Sequence, residues 1–81
     1  MRIVVYSKSN CPNCEAAKSL IRSKGWVYAE VSLDREEERN GFYSIAGPDV
    51  RQMPQIYVND ERIGGLAALR EWIKWKEQQG V

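Results

Sequence analysis

The sequence predicts an α/β domain with a four-stranded mixed sheet flanked by helices, in the order β-α-β-α-β-β-α. Short runs rich in β-branched residues alternate with longer stretches whose apolar residues recur at helical spacing. The first strand, helix and second strand follow one another within about thirty residues, the length of a βαβ unit with a right-handed crossover. The last two strands are separated only by Asn59-Asp60, a hairpin turn, and a helix closes the chain. Mixed order with short connections places helices on both faces of the sheet.

Ile3-Val4-Val5-Tyr6 is apolar on both faces, which predicts a central strand. A helix follows from Pro12 to Lys24. Proline suits the first helical position, where its missing N–H costs nothing, so Cys11 falls at or next to the N-cap. Ala17, Leu20 and Ile21 form its apolar stripe, and Gly25 ends it as a left-handed cap. Trp26 to Leu33 reads as the second strand, with Val27, Ala29, Val31 and Leu33 inward and Tyr28, Glu30 and Ser32 partly wet. Asp34 with Glu37 three residues on has the form of a capping box for a helix from Arg35 to Ile45. Gly41 predicts irregularity in the middle of that helix. Ala46-Gly47-Pro48-Asp49 is a stop and a loop. Gln55 to Val58 and Glu61 to Ile63 are the hairpin strands. The last helix runs from Leu66 to Gln78, with Leu66, Leu69 and Ile73 buried and Trp72 and Trp75 flanking. Tyr6 and Tyr57 read as packing residues, and Arg35 to Arg39 as a solvated face.

A chain of 81 residues makes one domain, residues 1–81. Twelve basic and eleven acidic residues leave a net charge of +1, which gives no electrostatic basis for binding nucleic acid or an anionic membrane. No apolar run approaches the ~18 residues of a membrane span. The apolar stretch after Met1-Arg2 is too short for a secretory leader, so the expected location is the reducing cytoplasm. There, a C-x-x-C pair signals redox or metal chemistry rather than a structural staple. Two thiolates and no histidine do not close a zinc site within one chain, and no metal is expected.

Cys11-Pro12-Asn13-Cys14 holds the only two cysteines, between a strand and a helix. The helix N-terminus offers Cys11 unpaired N–H groups and partial positive charge. Lys8 adds a full charge three residues earlier. Such surroundings lower a cysteine pKa from about 8.5 to roughly 3.5–7.5. Cys14 lies one turn inside the helix on the same face, so the two sulfurs can bond. Cys11 is therefore the nucleophile that forms a mixed disulfide with substrate, and Cys14 resolves it.

Ser7-Lys8-Ser9-Asn10-Cys11-Pro12-Asn13-Cys14 resembles the active-site segment of the glutaredoxins. So do Met53-Pro54-Gln55-Ile56-Tyr57-Val58 and Ile63-Gly64-Gly65-Leu66-Ala67-Ala68-Leu69. The resemblance spans nearly the whole chain and implies a thioredoxin fold. It implies a cis Met53–Pro54 bond facing Cys11, with the Met53 backbone open to glutathione or an extended peptide. It implies that glutathione is co-substrate, its glycine carboxylate near Lys8 with help from Arg51 or Gln52. Its γ-glutamyl end would lie at Gly64-Gly65 and the start of the last helix, around Leu66 and Ala67. The sequence departs from the family where Ala67 and Ala68 replace a frequent acidic residue and Asn13 replaces a frequent tyrosine. The implied partners are disulfide-bearing proteins, among them ribonucleotide reductase, and the implied state is a monomer. Alternatives are a thioredoxin-like electron donor to ribonucleotide reductase with another reductant, a dimeric iron–sulfur carrier, and a regulatory thiol switch.

Overall fold

The computed structural model describes residues 1–47 and 49–79, so Pro48 of the expected loop lies outside the described residues. Its elements are β1 (Ile3–Ser7), α1 (Pro12–Ser23), β2 (Ala29–Ser32), α2 (Glu36–Ala46), β3 (Gln55–Val58), β4 (Glu61–Gly64) and α3 (Leu66–Gln79). The strands form one sheet in the order β2-β1-β3-β4. β1 runs parallel to β2 and antiparallel to β3, and β4 is antiparallel to β3. Asn59 and Asp60, both at positive φ, make the hairpin turn.

The sheet divides the apolar residues into two sets. Ile3 and Val5 of β1 and Ile56 and Val58 of β3 pack with Ala17, Ile21, Leu69 and Ile73, so α1 and α3 cover this face. On the other face Tyr6 stacks on Phe42 of α2 at 4.5 Å and meets Tyr57 edge-on at 5.5 Å. Helices therefore lie on both sides, two on one and one on the other. Trp72 packs edge-on against Trp26 at 5.7 Å, whereas Trp75 is exposed.

Three expectations need correction. The second strand is only Ala29–Ser32, and all four of its residues are exposed, so the alternation expected of it half-buries only Leu33, beyond its end. Val27 is 86% exposed, while Trp26 and Tyr28 pack against the core. As an edge strand, β2 has too little sheet beside it to bury its alternate valines. The capping role falls one residue later: Arg35 is the N-cap of α2, and its N–H donates to Glu38 at 3.1 Å. Finally, α2 runs unbroken through Gly41, because helix hydrogen bonds on either side outweigh a glycine cost of about 1 kcal/mol.

A polar chain ties the edge strand to α1. Ser7 Oγ donates to Glu30 at 2.6 Å, Lys18 Nζ donates to Glu30 at 2.8 Å, and Lys18 also reaches Glu15 at 2.7 Å. The Lys18 ammonium, and then the Ser7 hydroxyl, hold the Glu30 carboxyl below its usual range. Hydrogen bonds to Glu15 and then Glu30 raise Lys18. A depressed carboxyl adds stability above its unfolded pKa, and this is lost as pH falls through the folded value. A raised lysine adds stability below its ordinary value, lost only in strong base as pH rises through the folded value. Urea unfolding of the wild type should therefore show stability declining below about pH 5. Glu30→Gln should flatten part of that decline; parallel pH profiles for the two proteins would refute the linkage.

Candidate active site

β1 delivers the chain to the C-terminal edge of the sheet, and Ser7 to Asn10 turn it into α1, with Asn10 at φ 55°. Cys11 is the N-cap, its backbone extended and its carbonyl accepting from Glu15 N at 3.1 Å. Pro12 occupies the first helical turn. The Cys14 N–H donates to Cys11 Sγ at 3.1 Å, so an otherwise unpaired helix-end donor points at the sulfur. A thiolate at that atom would accept the same bond with its charge on the positive end of the helix dipole. Cys11 and Cys14 are joined as a disulfide, with Cα atoms 5.2 Å apart. Cys11 keeps 8% of its surface exposed and Cys14 none. That asymmetry leaves Cys11 as the sulfur an outside molecule can reach.

The Met53–Pro54 bond is cis, as the resemblance implies. Met53 O lies 3.8 Å from Cys11 Sγ. Met53 and Pro54 are both buried, and Met53 packs with the two cysteines beside Tyr6, Leu33, Phe42 and Tyr43. Thus α2 supplies aromatic packing next to the disulfide although Asn13 is not aromatic. Pro12 and Asn13 are exposed on the helix tip.

The loop before Cys11 has its own anchor, which the sequence reading assigned elsewhere. Asp34 accepts from Ser9 N at 2.7 Å and from Ser9 Oγ at 3.0 Å, and Ser32 Oγ adds a bond at 3.2 Å. These bonds, the Ser9 N–H first, hold the Asp34 carboxyl below its usual range. Leu33 N donates to Ser7 O at 2.8 Å, and Arg39 Nη1 donates to the carbonyls of Leu33 and Asp34. Asp34 is thus spent on the active-site loop rather than on α2.

Lys8 is half-buried and belongs to none of the described ion pairs. Arg51 is exposed and donates to Val50 O at 2.7 Å, so part of its guanidinium serves its own loop. Gln52 is exposed, and its carbonyl accepts from Gln55 Nε2 at 3.0 Å. A Cβ on Gly65 would stand 3.5 Å from Pro54 O, so the start of α3 lies against the cis proline. Leu66 turns its side chain to the main core, while Ala67 is exposed. Arg62, which the sequence places only in the last hairpin strand, donates from Nη1 to Gln55 Oε1 at 3.3 Å. Its only sequence signal is its place in the hairpin opposite Tyr57. Among the described residues no group of three or more His, Cys, Asp or Glu side chains is placed to hold a metal ion.

A C-x-x-C disulfide at a helix N-terminus, beside a cis proline at one end of a mixed four-stranded sheet, defines a thioredoxin-fold dithiol protein. The glutaredoxin family profile matches residues 3–63. Glutaredoxin-C4 of Arabidopsis thaliana is 38% identical over 66 residues, covering 79% of this chain and 49% of its own length, so the chain spans about half of that relative. The structure superposes on glutaredoxin 1 from Francisella tularensis with a TM-score of 0.87 at 24% identity, covering 95% of this chain and 96% of the other, a likeness of fold. A buckwheat glutaredoxin–glutathione complex aligns with a TM-score of 0.77 at 25% identity, over 89% of this chain and 67% of the other. The chain belongs to the glutaredoxin family of thiol–disulfide oxidoreductases.

Proposed function

We propose that the protein is a glutathione-dependent oxidoreductase that reduces protein disulfides and glutathione mixed disulfides. The observation that carries the reading is the Cys11–Cys14 pair at the head of α1, with Cys11 the more accessible sulfur and the cis Met53–Pro54 segment beside it. Cys11 as thiolate attacks one sulfur of the substrate disulfide; that bond breaks, and the other sulfur leaves and takes a proton. Cys14 as thiolate then attacks Cys11 Sγ, expels the second reduced sulfur and restores the internal disulfide. Two glutathione molecules reduce that disulfide in turn and leave as glutathione disulfide. Electrons thus pass from two glutathione thiols to one substrate disulfide.

Glutathione is supported by the family, by a fold neighbour whose structure is a glutathione complex, and by Lys8 with no described carboxylate partner. Its γ-glutamyl carboxylate fits the backbone N–H groups at the start of α3, as any carboxylate fits a helix N-terminus. We place the protein in the cytoplasm as a monomer, where the glutathione pool is reducing. Ribonucleotide reductase is one disulfide that such a donor would serve.

The test is the source of electrons. With a small mixed-disulfide substrate, turnover coupled to glutathione and its reductase should exceed turnover coupled to thioredoxin reductase by about tenfold or more, as differential binding of one reductant requires. Turnover with thioredoxin reductase alone would overturn glutathione dependence and favour the thioredoxin-like donor.

A further inference from the structure

None of the residues of α2 is fully buried, yet two of its rings join the cluster around the disulfide. Phe42 and Tyr43 both pack against the group formed by Cys11, Cys14 and Met53, and both are half-buried. Their neighbours separate their roles. The Phe42 ring stacks on Tyr6 at 4.5 Å and meets Tyr57 edge-on at 6.3 Å, so it fastens α2 to the sheet. Among the described residues Tyr43 has one ring neighbour, Phe42, edge-on at 6.0 Å. Its backbone carbonyl accepts from Gly47 N at 3.2 Å, which fixes it in the last turn of the helix.

No described hydrogen bond involves the Tyr43 hydroxyl. Among the described residues no buried side-chain oxygen or nitrogen lacks a partner, so this hydroxyl stands in water. Tyr43 thus has one side in the apolar cluster of the disulfide and its polar end outside. Tyrosine in that setting supplies large contact area to an incoming partner.

Cys11 belongs to the same cluster and keeps 8% of its surface. A substrate must bring one of its own sulfurs to Cys11 Sγ. Successive residues of its chain are about 3.8 Å apart, so the neighbours of its cysteine reach the groups packed around Cys11. Asn13, Arg51 and Gln52 offer exposed polar surface on the adjoining segments, and Met53 is only 8% exposed. Tyr43 adds an aromatic surface, from a helix to which neither sulfur belongs.

We propose that Tyr43 is a specificity-determining residue that takes the apolar side chain next to the reacting cysteine of a protein disulfide. This rests on the oxidoreductase reading above and adds a substrate class to it, disulfides flanked by an aliphatic or aromatic residue. The gain is the area that the ring and the flanking side chain remove from water. That contact is made on binding and does not change as the S–S bond breaks, so it acts on KM rather than kcat.

The test compares two peptides, each closed by one disulfide and identical except for Leu or Gln beside one cysteine. Both are reduced by the full chain with glutathione and its reductase. The Leu peptide should have a kcat/KM about fivefold higher, as partial burial of one leucine side chain gives, with the difference in KM. Tyr43→Phe should keep the preference, since the ring carries it, and Tyr43→Ser should bring the two KM values together. Equal kcat/KM for the two peptides with the wild type, or loss of the preference in Tyr43→Phe, would overturn the proposal. So would a Tyr43→Ser variant that lowers kcat on both peptides alike and keeps their ratio, because that is lost packing and not a lost substrate contact. Failure of the wild type to reduce either peptide would overturn the oxidoreductase reading, and the proposal with it.

Discussion

Cys11→Ser should abolish turnover on every disulfide substrate, a loss of about 10³-fold or more, as removal of a nucleophile gives. Cys14→Ser should instead separate two substrate classes. A glutathione mixed disulfide needs only Cys11: glutathione itself can attack the enzyme-bound intermediate, so this activity persists. A protein disulfide leaves a bulky mixed disulfide that the internal thiol must resolve, so this activity is lost. The structural cause is the asymmetry at the head of α1. Cys11 Sγ accepts the Cys14 N–H and keeps some exposure, whereas Cys14 has none. In reduced Cys14→Ser, the alkylation rate of Cys11 against pH should have its midpoint below the ordinary cysteine value of about 8.5. Equal losses in both variants on the mixed disulfide, or a midpoint at or above 8.5, would reject the assigned roles.

Local chemistry made the nucleophile legible. A strand, a C-P-x-C and a helix stripe occupy consecutive residues, and Pro12 puts Cys11 at or next to the N-cap, which the structure fixes as the N-cap itself. The central strands were equally legible, since β1 is apolar on both faces and β3 is buried along most of its length. What failed depended on partners distant in sequence. Alternation in Trp26 to Leu33 does not reveal that β2 has a neighbour on one side only, so Val27 and Val31 are exposed where the pattern suggests burial. Asp34 has the right chemistry for a helix cap, but Ser9, 25 residues away, offers it two donors at once. The Arg62–Gln55 contact exists only because the hairpin brings β4 beside β3. Each miss concerns a polar or half-exposed group whose partner is fixed by the tertiary fold, where local pattern carries least information.

Gly64→Ala should destabilise the protein by about 2–4 kcal/mol, the sum of a backbone cost and an overpacking cost. The backbone cost arises because Gly64 has φ 128°, a conformation that side-chain-bearing residues rarely adopt. The overpacking cost arises because a Cβ there would stand 2.9 Å from Ala68 Cβ, where β4 meets the first turn of α3. The two terms can be separated by urea unfolding. Ala68→Gly alone should cost about 1 kcal/mol as a helix glycine. In Gly64→Ala/Ala68→Gly the contact is gone but the φ strain remains, so the double variant should lose at least about 1 kcal/mol less than the sum of the singles. Strict additivity would show that the methyl contact is not the cause, and a neutral Gly64→Ala would refute both terms. Gly65→Ala is the matched control, since its Cβ would meet Pro54 O at 3.5 Å, ordinary van der Waals contact. The first glycine of the pair is thus required by the fold, to let β4 pass close to α3. The second is the one a methyl can replace without strain, although it borders the cis proline.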